Sequence, residues 1–253
     1  MRFASLGSGS RGNALLVEGG STRVLIDAGF GPREILRRLA RFNLAGEDVD
    51  AVLVTHEHSD HVGGVFACAR RFDWKVMLTH GTLAACGEDR ANERTTIIDS
   101  HEPVSVGDLG IQPFPVPHDA REPVQFVLSD GAARLGVLTD AGHVTSHMVA
   151  MLAGCDALVL ECNHDAAMLA KGSYPPVLKR RISGPWGHLD NAAAASLLGQ
   201  LDMSRLRHVV AAHLSEQNNS PILARTALSE ALGCAPDWIG VATQSEGFAW
   251  RDL

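Results

Sequence analysis

Four potential metal ligands crowd into six residues immediately after a short apolar strand. The run is Thr55-His56-Glu57-His58-Ser59-Asp60-His61, and the strand pattern is Ala51–Thr55. Neutral imidazoles suit borderline transition ions, and a carboxylate adds hard oxygen donation. His56 and His58, at i and i+2, project from the strand end toward one ion. Asp60 and His61 lie on the turn into a helix that Ser59 or Asp60 is expected to cap, and they can serve a second. The bland alternative is a polar surface loop, which rarely gathers four donors at this spacing.

The rest of the chain must bury that loop's supports. With 253 residues, 45% hydrophobic and 20% charged, it can form one large domain, expected to span 1–253. The longest apolar run, Met148–Leu160, contains Asp156 and falls short of the ~18 residues of a spanning helix, so it reads as core. No apolar signal region follows Arg2. Five scattered Cys without a CxxC pair suit free thiols in a reducing cytoplasm. A net charge of −7 means that the whole surface does not advertise a polyanion partner, which leaves a local basic groove as the place for one.

Short strands alternate with amphipathic helices. Arg2–Leu6, Ala14–Val17, Thr22–Ile26 and Lys75–Thr79 read as strands, and Pro32 opens a helix with Ile35, Leu36 and Leu39 on one face. Strand signals recur at Val104–Val106, Ile111–Val116, Val124–Leu128 and Leu135–Leu138. A second α/β stretch has strands Ala157–Glu161 and His208–Ala212, helices Asn191–Leu201 and Ile222–Leu232, and edge strands Trp238–Val241 and Phe248–Trp250. Two such halves predict facing sheets with outer helices. Gly7, Gly9 and Gly12 superficially match a dinucleotide fingerprint. Asn13–Glu18 reads as a strand rather than a helix, so a hairpin is expected and no nicotinamide cofactor is inferred.

HxHxDH after a short strand resembles the signature of the metallo-β-lactamase superfamily, an αββα four-layer sandwich with metals at one edge. Val24-Leu25-Ile26-Asp27-Ala28-Gly29 is similar to the family's strand-ending Asp motif, where the Asp organises the ligand loop. The resemblance implies further ligands at His118, Asp140 and His213, each closing a strand. It implies two divalent ions, Zn or Mn. His56, His58 and His118 would hold one, Asp60, His61 and His213 the other, and Asp140 would bridge them around a shared water. The best-known lactamase subclass has Cys where Asp140 stands, so antibiotic hydrolysis is not the expected activity.

Leu160-Glu161-Cys162-Asn163 and Gly187-His188-Leu189-Asp190-Asn191 resemble the Glu and His motifs of the phosphodiesterase branch. There a carboxylate orients a His that protonates the leaving oxygen, which an alkoxide needs. Leu6-Gly7-Ser8-Gly9-Ser10-Arg11-Gly12-Asn13, His118-Asp119-Ala120, Asn163-His164-Asp165, Tyr174-Pro175, Leu178-Lys179-Arg180-Arg181-Ile182 and His213-Leu214-Ser215-Glu216-Gln217-Asn218-Asn219 are similar to the YycJ/WalJ exonuclease family. That resemblance implies a cytoplasmic 5′-to-3′ exonuclease on double-stranded DNA. Its catalytic residues would be Asp60, Glu161 and His188, with Asp60 also accepting a proton from the attacking water. His164 is expected either in the cleft, on phosphate, or packed at a helix start that Asp165 caps. Lys179, Arg180 and Arg181 either bind the DNA backbone or form a solvated face. Asp190 departs from the expected Ser and adds negative charge. His80, His101, His143, His147 and His208 have no supporting spacing.

Two other readings stay open. A glyoxalase II-like thioesterase shares the ligands but has no need of Glu161 and His188, because thiolates leave without a proton. A non-catalytic metal-binding regulatory module needs no open two-ion site. His118 and Asp140 stand only 22 positions apart, too few for the RNA-gripping arm of tRNA-processing relatives. The ~150 residues from His61 to His213 are used by the sandwich itself, which leaves no room for a large inserted domain.

Overall fold

Strands that are apolar on both faces must be covered on both sides. The computed structural model, which describes residues 1–253, shows how this is done. One sheet contains β1 (Arg2–Gly7), β2 (Ala14–Gly19), β3 (Thr22–Ile26), β4 (Ala51–Leu53), β5 (Lys75–Leu78) and β6 (Thr95–Ile97). The other contains β7 (Val104–Val106), β8 (Leu109–Pro115), β9 (Val124–Ser129), β10 (Arg134–Leu138), β11 (Ala157–Glu161), β12 (His208–Ala212) and β13 (Gly240–Val241). The last strand, β14 (Phe248–Asp252), returns to the first sheet. The orders are β14-β1-β2-β3-β4-β5-β6 and β13-β12-β11-β10-β9-β8-β7.

Side-chain alternation sorts these strands into three cores. Val24, Ile26, Ala51, Leu53, Ala157, Val159, Val210 and Ala212 meet between the sheets. Their neighbours Leu25, Val52 and Val54 face outward under α1 (Pro32–Leu39) and α3 (Val65–Phe72), against Ile35, Leu39, Phe66 and Phe72. On the far side Leu158, Leu160, Val209 and Ala211 pack under α5 (Ser146–Leu152), α8 (Asn191–Leu198) and α9 (Pro221–Leu232). The layers are therefore α, β, β and α. Each fully buried Leu, Val or Phe side chain contributes about 1.5–3 kcal/mol.

Strands β3 to β6 run parallel, as do β10 to β13. Parallel strands aim their carboxyl ends the same way, which is where open α/β sheets place ligands. Asp27 follows β3, His56 lies just beyond β4, Asp140 follows β10, Glu161 ends β11 and His213 follows β12. The glycine-rich segment Ser8–Asn13 joins antiparallel β1 and β2 as a hairpin connection.

Several expected boundaries shift. The turn helix α2 (Ser59–Val62) starts with His58 at its N-cap and receives no side-chain cap, because Asp60 turns toward His61 and His213. Thr79, expected to end β5, instead caps α4 (His80–Cys86) by accepting the Thr82 N–H. The helix expected over Asn191–Leu201 stops at Leu198, before Gly199. The strand expected from Trp238 begins at Gly240, since Pro236–Trp238 forms a 3-10 turn. No helix is long and apolar enough to cross a membrane.

Candidate metal centre

Asp27, at the end of β3, fixes the histidine loop from beneath. Its carboxylate accepts the Thr55 N–H at 2.8 Å, the Thr55 Oγ1–H at 2.9 Å and the His61 Nδ1–H at 2.7 Å. The glycine hairpin supports the same loop from the side. Asn13 accepts the Gly9 N–H at 2.8 Å and donates to the Asp60 carbonyl at 3.3 Å, while Ser8 Oγ accepts the His213 N–H at 2.8 Å. A Cβ on Gly29 would lie 1.9 Å from the Asp60 carbonyl, so only glycine allows this approach. Asp27 and His213 adopt positive φ of 61° and 53°, conformations that cost roughly 1–3 kcal/mol and concentrate at functional sites.

The outer hydrogen bonds determine which imidazole nitrogens are lone pairs. A carbonyl can only accept, so His118 Nδ1–H donates to Gly187 O at 2.9 Å and His213 Nδ1–H to Thr139 O at 2.8 Å. Thr55 Oγ1 gives its proton to Asp27 and therefore accepts from His56 Nδ1 at 2.9 Å. His58 turns Nε2 toward Asp119 Oδ1 at 3.6 Å. What remains is a convergence of bare nitrogens. His58 Nδ1 lies 3.0 Å from His56 Nε2 and 3.2 Å from His118 Nε2. A second set brings His61 Nε2 and His213 Nε2 each to 3.4 Å from Asp60 Oδ2.

Asp140 stands between the two sets. Its Oδ2 is 3.1 Å from His61 Nε2, and its Oδ1 faces His118 Nε2 at 3.8 Å. Asp140 Oδ1 is buried and has no hydrogen-bond partner. Converging lone pairs and an orphaned carboxylate oxygen are unfavourable without a cation and favourable with one. The all-N/O donor set suits Zn or Mn. The triplets His56-His58-His118 and Asp60-His61-His213, with Asp140 beside both, can each hold a divalent ion.

The local field acts differently on the two donor sets. Burial pushes His118 down to about 4 despite Asp140, and burial likewise lowers His56, so both stay neutral ligands. Burial opposes charge on Asp60, but His213 and His61 hold it below the ordinary carboxylate range. His61 and His213 resist charging through burial, yet the Asp140 carboxylate outweighs this and draws positive charge to them, a charge that a cation held there would replace by displacing the protons.

Beside the donors, His188 Nδ1–H donates to Glu161 Oε1 at 2.7 Å, and Asp140 Oδ1 lies farther off at 3.2 Å. Glu161 Oε2 accepts the Ala141 and Leu189 N–H groups. Burial opposes the His188 charge, but the Glu161 and Asp140 carboxylates raise it to about 9. Its Nε2 is left for a cleft of about 340 Å³ lined in part by Ser10, His58, Asp60, Tyr174, Arg181 and His213.

Other expected residues are distributed unevenly. His164 is only 2% exposed, against Asn163, and does not line the cleft, so the packed alternative describes it and direct phosphate contact does not. Asp165 caps α6 (Ala166–Lys171) through the Met168 N–H. Of the three cations on α7 (Pro176–Ile182), Arg181 lines the cleft and donates to Asp119 Oδ2 at 2.6 Å, Lys179 donates to Ala170 O, and Arg180 is exposed. Asp190 caps α8 by accepting the Ala193 N–H at 2.7 Å, a task that Ser also performs. Burial raises the Cys162 thiol, which makes it a poor nucleophile.

Asn13, Thr55, Asp119 and Thr139 have no role assigned from the sequence, although Asn13, Thr55 and Asp119 fall within quoted motifs. Asp27 offers a direct test of the support system. Asp27→Asn keeps shape but weakens the acceptor of His61 Nδ1–H, and metal affinity is expected to drop about 10–100-fold. Competition with a chromogenic chelator measures it, and an unchanged affinity would separate Asp27 from the site.

Comparison with known proteins places this geometry among relatives. A family model described as a beta-lactamase superfamily domain matches residues 22–213. The chain is 36% identical over 237 residues to exodeoxyribonuclease YycJ of Bacillus anthracis, covering 92% of this chain and 89% of that protein. It is 32% identical over 245 residues to exodeoxyribonuclease WalJ of Streptococcus pneumoniae, covering 95% and 91%. The crystal structure of the metallo-beta-lactamase fold protein YhfI from Bacillus subtilis matches with a TM-score of 0.76 at 15% identity, covering 99% of each chain.

Proposed function

The chain belongs to the β-lactamase superfamily and, within it, to the YycJ/WalJ family, and on that premise we propose that this metal-dependent hydrolase is a two-metal 5′-to-3′ exonuclease on double-stranded DNA. The whole of residues 1–253 would act as one domain, in a cytoplasm whose reducing conditions suit five free thiols. His56, His58 and His118 would hold one ion, Asp60, His61 and His213 the other, and Asp140 would touch both. Divalent ions held there would supply an activated water nucleophile and neutralise charge on the phosphoryl oxygens.

The observation that carries the reading is the Glu161–His188 couple beside those donors. Glu161 fixes the His188 Nδ1 tautomer and favours its charged form, so Nε2 can deliver a proton to a departing deoxyribose oxygen. Asp60 stays ionised, orients the attacking water and would accept its proton. Arg181 contributes positive charge at the cleft for the substrate backbone, with Arg180 and Lys179 behind it. A thioesterase would have no use for the proton donor.

The test incubates Mn-loaded protein in parallel with 5′-labelled duplex DNA, duplex RNA and S-lactoylglutathione. Stepwise release from the 5′ end of the DNA, abolished by chelator and restored by Mn or Zn, is the expected result. Thioester cleavage with both nucleic acids inert would overturn the proposal.

A further inference from the structure

The segment that carries α6 and then α7, whose Leu178, Arg181 and Ile182 line the cleft, differs in charge from the rest of the protein. Residues 166–189 hold Lys171, Lys179, Arg180 and Arg181 and not one Asp or Glu, in a chain of net charge −7. The same segment displays apolar side chains to solvent. Val177 is 71% exposed and Trp186 is 58% exposed, two residues before His188. Two residues span at most about 7 Å of chain, roughly the reach of one or two nucleotides from the point of proton delivery.

Trp186 is exposed but not loosely held. Asp119 N–H donates to the Trp186 carbonyl at 2.9 Å, and His143 Nδ1–H donates to the Pro185 carbonyl at 2.9 Å. Gly187 N–H closes the turn on Gly184 O at 2.9 Å. Gly142, two residues after Asp140, fits so closely that a Cβ there would lie 2.2 Å from the Pro185 carbonyl. The His143 ring stands edge-on to the indole at 6.4 Å and 79°, leaving an indole surface toward solvent. The backbone just before His188 thus fixes an indole that the core does not use.

A presented aromatic ring close in sequence to a run of cations suits single-strand binding, in which bases stack on π-faces and the backbone follows positive charge. We infer that Trp186 is a stacking platform for a base of the single-stranded end that threads past His188, adjacent to the scissile phosphate. This rests on the nuclease reading and adds a specificity-determining residue to it. It gives the enzyme a reason to prefer a frayed end over a closed duplex, since an unpaired base must leave its own stack to reach the indole.

The experiment uses Mn-loaded protein and a duplex with a short phosphorothioate-linked single-stranded end, labelled with 2-aminopurine near its terminus. Trp186→Ala is expected to weaken binding about 5- to 100-fold and to abolish quenching of the 2-aminopurine. Trp186→Phe should keep most of both, and bis(p-nitrophenyl) phosphate turnover should match in all three proteins. The inference falls if Trp186→Ala binds and quenches as the parent does. It also falls if Trp186→Phe is as impaired as Trp186→Ala, or if the small ester shows the same loss. A parent that hydrolyses the small ester but neither binds nor cleaves DNA would remove the nuclease reading itself, an outcome distinct from the others.

Discussion

Asp140→Asn is expected to yield a folded protein that retains neither ion at stoichiometric level and has lost phosphodiester turnover by on the order of 10³ or more, the rate equivalent of several kcal/mol of charge stabilisation. Asp140 is the one carboxylate whose two oxygens address both donor sets, Oδ2 toward His61 and Oδ1 toward His118. An amide has nearly the same shape but can offer only one oxygen, and its NH₂ would point at one of the cations. Asp140 is also only 1% exposed, so water cannot readily replace the missing donor. Elemental analysis after dialysis gives the ions per chain, circular dichroism checks folding, and labelled DNA reports turnover. A variant that still carries two ions would end the bridging assignment.

Legibility in the sequence followed whether a signal was local. Thr22–Ile26, Ala157–Glu161 and His208–Ala212 are strands with the bounds expected, because each carries an unbroken apolar stretch, Val24–Ile26, Ala157–Leu160 and Val209–Ala212, buried on both faces. β6 was not expected, since Thr95–Ile97 sits at a sheet edge with Ile97 46% exposed and so lacks the alternating pattern. The return of β14 to pair with β1 depends on contacts about 250 residues apart in sequence, which no window of sequence contains. The candidate donors were readable because imidazoles and carboxylates at strand ends are chemically unusual. Their supports were not. Asn13 and Ser8 look like turn residues, and only the folded chain shows them tying the first hairpin to Asp60 and His213. The Ser59 or Asp60 cap failed for a related reason, since Asp60 is drawn into the donor cluster and is lost to the helix.

His188→Ala is expected to lower kcat on DNA about 10²- to 10⁴-fold while metal content stays at the parent level. The size of the effect should depend on the leaving group. A deoxyribose alkoxide requires the proton that Nε2 supplies, whereas p-nitrophenolate departs as the anion, so the same variant should lose much less activity on bis(p-nitrophenyl) phosphate. Glu161→Gln then tests where the proton comes from. Burial disfavours charge on His188, and the Glu161 and Asp140 carboxylates outweigh it to hold the group at about 9. A general acid works in its protonated form, so DNA turnover should decline as pH rises through the His188 pKa. Removing the Glu161 charge lowers that pKa and moves the alkaline limb to lower pH, while the small-ester profile, which does not need the acid, should keep its position. If the limb stays in place on DNA, or if both substrates shift together, the proton is not delivered by His188 and the phosphodiesterase reading loses its main support.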